Sequence, residues 1–121
     1  MPQDPDRREL KRQYKETHRP MGVYQVRNTK SGKVMIASSP NLPAIFNRLR
    51  MELETGGYRK HPELQKDWKE LGGEAFEFEV VEELEPSDTP GWDPSEDLQA
   101  LLELIREQRQ PYGDAGYNRR R

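Results

Sequence analysis

The sequence predicts a small α+β domain: a three-stranded, largely antiparallel sheet flanked by helices. Three observations lead there. Two strand-like runs, GVYQVRN and KVMIAS, are separated by the turn-forming NTKSGK. A later run, AFEFEVVEEL, alternates apolar and acidic residues. Apolar stripes of helical period lie between and after these runs. The 121 residues are about the size of one domain. The expected division is a charged helix within 1–19 and the domain proper over 20–121.

Residues 4–16, DPDRRELKRQYKE, fit a helix, but Leu10 and Tyr14 are its one apolar i, i+4 pair, so it is expected at the periphery. Arg19-Pro20 ends it, because the residue before proline disfavours the helical region. GVYQVRN sets Tyr24 and Val26 against Val23, Gln25 and Arg27, and NTKSGK supplies Gly32 for a positive φ. With KVMIAS this makes a β-hairpin. Next, Leu42, Ile45, Phe46, Leu49 and Leu53 follow the helical period, with Asn41 as N-cap, Pro43 in the first turn and Gly56-Gly57 as the stop. A shorter helix starts near Pro62, with Leu64, Trp68 and Leu71 on one face and Gly72-Gly73 as its end. It is expected to pack on the first. From Ala75 to Leu84 the period is two, placing Phe76, Phe78 and Val80 on a buried face opposite Glu77 and Glu79. After a Pro- and Gly-rich loop, Asp93, Pro94 and Glu96 match a capping box for a helix over 94–109, with the stripe Leu98, Leu101, Leu102 and Ile105. The tail QPYGDAGYNRRR returns to loop.

Composition narrows the chemistry. Apolar residues make up 31% and charged residues 35%, so the core is lean and the helices carry wide solvated faces. With no cysteine, a disulfide framework, a thiolate zinc site and a cysteine nucleophile are excluded. No apolar run reaches the roughly 18 residues of a membrane span, and the N-terminus lacks a signal-peptide core. A cytoplasmic protein without a membrane partner is the expectation. The net charge is −2, but it is unevenly spread. Residues 1–60 carry 13 Lys and Arg against 6 Asp and Glu; residues 61–121 carry 7 against 16. A basic half of this kind can face phosphates, since such contacts act locally. It equally suits a surface on which basic and acidic stretches pair.

The ordered set GVY (Gly22, Val23, Tyr24), VMIA (Met35, Ile36 and Ala37 standing for the second motif), SSPNL, LQKDWKELGGEAFEFEVVEEL and the terminal GYN resembles a GIY-YIG nuclease domain, over roughly residues 20–118. The resemblance implies hydrolysis of DNA phosphodiesters with one divalent cation, Mg²⁺ or Mn²⁺. In that chemistry a tyrosine positions or activates water, an arginine stabilises the phosphorane and a glutamate holds the metal.

Carried over position by position, Tyr24 is the first-motif tyrosine. Met35 replaces the second, and a thioether can neither donate a hydrogen bond nor carry a proton. The family arginine falls on Ile45; Arg48, three residues on and on nearly the same helical face, is the candidate substitute. The histidine of homing-type members falls on Leu49. Glu103 matches the metal-holding glutamate and Asn118 a polar residue near the site. Each also has a plain structural reading: a packed strand tyrosine, a solvated helix arginine, a solvated helix glutamate, a turn asparagine. His18 and His61 show no ligand spacing and read as surface residues. Candidate nucleic-acid contacts are Lys30, Lys33, Arg50, Arg59, Lys60, Arg119 and Arg120, followed by Arg121.

The implied function is a metal-dependent DNA endonuclease domain with impaired catalysis. The alternatives are a catalytically inactive nucleic-acid-binding module of the same fold, or an interaction module built on Glu82, Glu83 and Glu85. A protein partner supplying specificity would suit either nucleic-acid reading.

Overall fold

The computed structural model describes residues 20–119; the helix expected within 1–19, His18, Arg120 and Arg121 lie outside the described residues. Strands β1 (Gly22–Asn28), β2 (Val34–Ser39) and β3 (Phe76–Glu83) form one sheet in the order β2-β1-β3, with β1 antiparallel to both neighbours. Helices α1 (Leu42–Thr55), α2 (Pro62–Leu71) and α3 (Pro94–Arg109) flank it. The fold is thus the α+β class with a three-stranded antiparallel sheet.

Because β1 is central, its alternate residues divide the core between two faces. Tyr24 and Val26, with Met35 from β2, meet Leu49 and Leu53 of α1 and Leu64 and Trp68 of α2. Val23 and Ile36 meet Ile105, Leu101 and Leu102 of α3 on the opposite face. The sheet is therefore covered on both sides, unlike a sheet with one solvated face. Gly22 permits the closest approach of β1 to β3: a Cβ built there would lie 2.1 Å from the Glu82 carbonyl oxygen. The first residue of GVY is thus a steric requirement of strand pairing.

The predicted N-cap residues and the stop after α1 are in place, although at α3 the cap runs through Ser95 and not through the Glu96 of a capping box. Asn41 Oδ1 accepts from the Ala44 N–H at 3.1 Å, and Gly56 ends α1 in the left-handed region at φ 83°. At the start of α3, Asp93 accepts from the Ser95 N–H at 3.0 Å and the Ser95 hydroxyl at 2.8 Å. That cap holds Asp93 ionised below its ordinary carboxylate range, through the backbone and side-chain hydrogen bonds from Ser95.

Two expectations are corrected. Val80 is 44% exposed although it pairs with Tyr24 and keeps the face of Phe78; it is the last residue before the register slips and Glu82 pairs with Val23. Val81, the extra residue of this bulge, packs on the α3 side instead. Leu71 is 45% exposed, since it sits in the last turn of α2, where the chain leaves at Gly72 with φ 84°. Trp68 takes the interior position, its ring centroid 5.0 Å from that of Phe76.

The C-terminal segment closes the outer edge of β2. Gly116 bridges Val34 in parallel, the Tyr117 N–H donates to the Val34 carbonyl at 2.9 Å, and the Asn118 side chain continues the pairing on Ile36. Glycine is needed here too, because an added Cβ would fall 2.3 Å from the Pro111 carbonyl oxygen and 2.6 Å from that of Val34. No described helix is long and apolar enough to cross a membrane.

Candidate active site

The segment joining α1 to α2 builds one wall of a cleft over the sheet. Past Gly56 the loop is clamped by Gln65, whose amide donates to the Leu53 carbonyl at 2.9 Å while its oxygen accepts from the Tyr58 N–H at 3.1 Å. His61 precedes Pro62 and is held near the extended region (φ −133°, ψ 89°). These constraints bring the Tyr58 hydroxyl within 2.6 Å of His61 Nδ1. Tyr24 and Met35 from the sheet, Ile45, Arg48 and Glu52 from α1, and residues 57–61 enclose about 310 Å³.

Electrostatics give these groups distinct states. Burial, and secondarily the Glu52 carboxylate, pushes the Tyr24 phenol up to about 12, so it remains a donor at neutral pH. Tyr58 is pushed up further, first by burial and then by Tyr24 and Glu52. The His61 imidazole is held below its ordinary 6.5 by burial first, then by Arg119, Lys60 and Arg106, so it is neutral at pH 7. A protonated phenol beside a neutral imidazole directs the Tyr58 O–H into Nδ1 and leaves the ring hydrogen on Nε2. Arg48 Nε bonds Glu52 Oε1 at 2.8 Å, with the arginine side chain 74% exposed. An exposed i, i+4 pair contributes only about 0.3–0.5 kcal/mol, so Arg48 is held only weakly on Glu52.

The sequence-derived candidates separate into groups. Tyr24 and Arg48 share the cleft, as do Arg59 and Lys60. Met35 and Ile45 line it as apolar wall. Glu103 is exposed on α3, where it accepts from the Gln99 amide at 3.1 Å. It lies off the stripe that packs on the Val23 side of the sheet, and Tyr24 points to the other side. Glu103 is not among the residues lining the Tyr24 cleft. Asn118 is buried, with Oδ1 accepting from the Ile36 N–H at 2.8 Å and Nδ2 donating to the Ile36 carbonyl at 2.9 Å. Both of its polar ends are thus committed to the edge of β2. Arg50 lies over the Phe78 ring at 4.7 Å and Lys30 is exposed in the hairpin turn; neither lines the cleft. Lys33 lies over the Tyr117 ring at 5.7 Å and Arg119 is exposed, both beside a neighbouring cavity.

Asn118→Ala removes two hydrogen bonds and strands the buried N–H and C=O of Ile36. The expected loss is about 2–6 kcal/mol, at about 1–3 kcal/mol for each of the two unsatisfied groups. Urea denaturation followed by circular dichroism measures it, and a loss under about 0.5 kcal/mol would remove the clamp from the account.

His61 is not the plain surface residue expected from its spacing: it is half-buried, bonded to Tyr58 and part of the cleft wall. Tyr58 and Glu52 join it as residues that motif matching passes over. Glu52 carries a readable signal, being four residues after Arg48 on one helix. Tyr58 and His61 sit in a loop, where periodicity is silent.

The donor chemistry bears on the implied metal. Among the described residues no group of three His, Cys, Asp or Glu stands close enough together to hold an ion. Within the cleft Glu52 is already engaged by Arg48. The described side chains do not fit a ready-made divalent-cation site.

The fold has solved counterparts. The catalytic domain of the homing endonuclease I-TevI matches with a TM-score of 0.67 at 22% identity, over 84% of this chain and 99% of that one. A glutamate-to-alanine mutant of the catalytic domain of intron endonuclease I-TevI matches with a TM-score of 0.62 at 24% identity, over 82% and 92%. No protein-family model matches the sequence, and no curated protein matches it significantly. The likeness establishes the GIY-YIG nuclease-domain fold for this chain.

Proposed function

We propose that this domain of GIY-YIG nuclease fold binds DNA phosphodiesters in the Tyr24 cleft and hydrolyses them slowly. The observation that carries this reading is the Tyr58–His61 hydrogen bond of 2.6 Å, set beside Tyr24 and Arg48 within one cavity. A water resting on the Tyr58 oxygen transfers a proton to it as the Tyr58 proton moves to His61 Nδ1; the resulting hydroxide attacks phosphorus, the 3′ or 5′ oxygen leaves as an alkoxide that takes a proton from solvent, and His61 returns its proton to solvent. Arg48, released from Glu52, offsets the charge of the phosphorane, and the Tyr24 phenol donates a hydrogen bond to it. The rate is low because Met35 and Ile45 offer this transition state nothing polar. A divalent ion, where one binds, adds Lewis acidity, but the described donors do not form a site for it and no step above runs through it.

Those same two residues favour a second reading, binding without turnover. A supercoiled-plasmid nicking assay with Mg²⁺, Mn²⁺ or EDTA separates the two. Open circles are expected from wild type and not from Tyr58→Phe, which keeps the ring and removes the proton relay. Equal nicking by both proteins would sink the relay. No nicking by either, with a gel shift at low salt, would leave the binding module.

A further inference from the structure

Beside the reaction cleft lies a second cavity of about 570 Å³, walled by Lys33, Gly113, Asp114, Tyr117 and Arg119. His61 lines both cavities. The two hollows are thus consecutive compartments with one imidazole at the ridge. Cations stand on each side: Arg48, Arg59 and Lys60 in the first, Lys33 and Arg119 in the second. Each volume falls in the range of about 300–1,000 Å³ typical of small-ligand pockets. Such a hollow admits a nucleotide taken out of its stack but not a base-paired duplex, whose phosphates run along convex ridges.

We infer that the substrate is a single strand threaded across both cavities, with one phosphate at Arg48 and the adjoining nucleotide seated between Lys33 and Arg119. The inference rests on the nucleic-acid reading above and specifies its substrate class. The charges agree with the threading. Lys33 meets Glu63 at 3.9 Å with the glutamate side chain 73% exposed, a contact loose enough to yield to a phosphate. Glu63 and Asp114 repel phosphates and accept from exocyclic base amines, so the base is directed toward them and the backbone toward the cations. A basic track with ring side chains along it is the usual means of holding unpaired strands.

Fluorescence anisotropy with an end-labelled strand of about 12 nucleotides, within the roughly 4–16 nucleotide span of small single-strand sites, tests the proposal. Single-stranded DNA, single-stranded RNA of the same sequence and the blunt DNA duplex are the three probes. Either single strand is expected to bind at least ~10-fold tighter than the duplex, and the two single strands compared tell whether the sugar matters. Five cations on a single strand give a salt slope near −3.5, and Lys33→Ala with Arg119→Ala lowers it to about −2, at about 0.7 per phosphate contact. Thermal melting of the double variant within about 2 °C of wild type shows that the fold is kept. Duplex binding equal to or tighter than single-strand binding, or an unchanged slope in the folded double variant, overturns the threading while leaving the DNA-binding reading intact. Absence of binding to all three probes overturns both.

Discussion

His61→Ala is expected to lower the single-turnover rate of plasmid nicking by about 10²-fold or more, the usual contribution of a positioned acid–base group. The reason is specific to the relay. Without Nδ1 as final acceptor, the Tyr58 hydroxyl has nowhere to send its proton, and a phenol raised this far above its ordinary value does not ionise at neutral pH. Plasmid affinity is expected to change little, because His61 is neutral at pH 7 and contributes no charge to the phosphate contacts. Tyr58→Phe interrupts the same relay one atom earlier, so the double variant is expected to be no slower than either single variant. Additive losses, or a tenfold weaker affinity in His61→Ala, would refute this account.

The pH dependence follows with a definite sign. The relay needs the neutral imidazole, and the folded protein holds that group below 6.5, so the acid limb of the rate profile lies below 6.5. Stability moves the same way. The unfolded chain takes up the proton more readily than the folded one, so stability is full above 6.5 and declines as pH falls through that value. It levels off below the folded-state value. Denaturation midpoints measured between pH 7.5 and 5 are therefore expected to fall less steeply in His61→Ala than in wild type.

The largest expected stability effect of a core truncation is at Trp68. Its ring lies 5.0 Å from Phe76 and 6.0 Å from Phe78 between ring centroids, and its Nε1–H donates to Glu54 of α1 at 3.2 Å. One side chain thus ties α2 to both the sheet and α1. Trp68→Ala is expected to cost about 3–5 kcal/mol, the range for large buried aromatic truncations. Against a typical domain stability of about 5–15 kcal/mol, and with only 31% apolar residues, that leaves the variant at or near unfolding at 37 °C. Guanidinium titration of wild type and variant measures the difference; a loss below about 1 kcal/mol would show that the α1–α2–sheet contact is not the centre of the core. Because α2 begins at Pro62, directly after His61, a loosened α2 is also expected to blur the cleft.

Local chemistry explains how much could be read in advance. Asn41, Gly56, Asp93 and Pro94 act through their own backbones and nearest turns, and α1 begins and ends, and α3 begins, where those residues place them. The hairpin follows likewise from Gly32 at φ 82° between two β-prone runs. Leu98, Leu101, Leu102 and Ile105 needed only the 3.6-residue period to be assigned inward. The errors arose where a neighbour had the deciding vote. Val80 keeps the face of Phe78 but is 44% exposed where β3 bulges against β1, and no feature of FEFEVVEE announces the extra residue.

For the site the division is sharper. The sequence by itself determined the strand that carries Tyr24, the helix that carries Arg48 and Glu52, and the loss of polar groups at Met35 and Ile45, because identity and period suffice for these. Only the tertiary structure decided that Tyr58 and His61 meet at 2.6 Å on the wall of that cleft. The same holds for Asn118, whose side chain is spent on Ile36, and for α3, which Leu101, Leu102 and Ile105 set on the Val23 face of the sheet. The physical reason is common to all three. A loop rotamer, an edge contact across 82 residues and the choice of sheet face depend on packing between segments distant in sequence, and no local period or propensity encodes that packing.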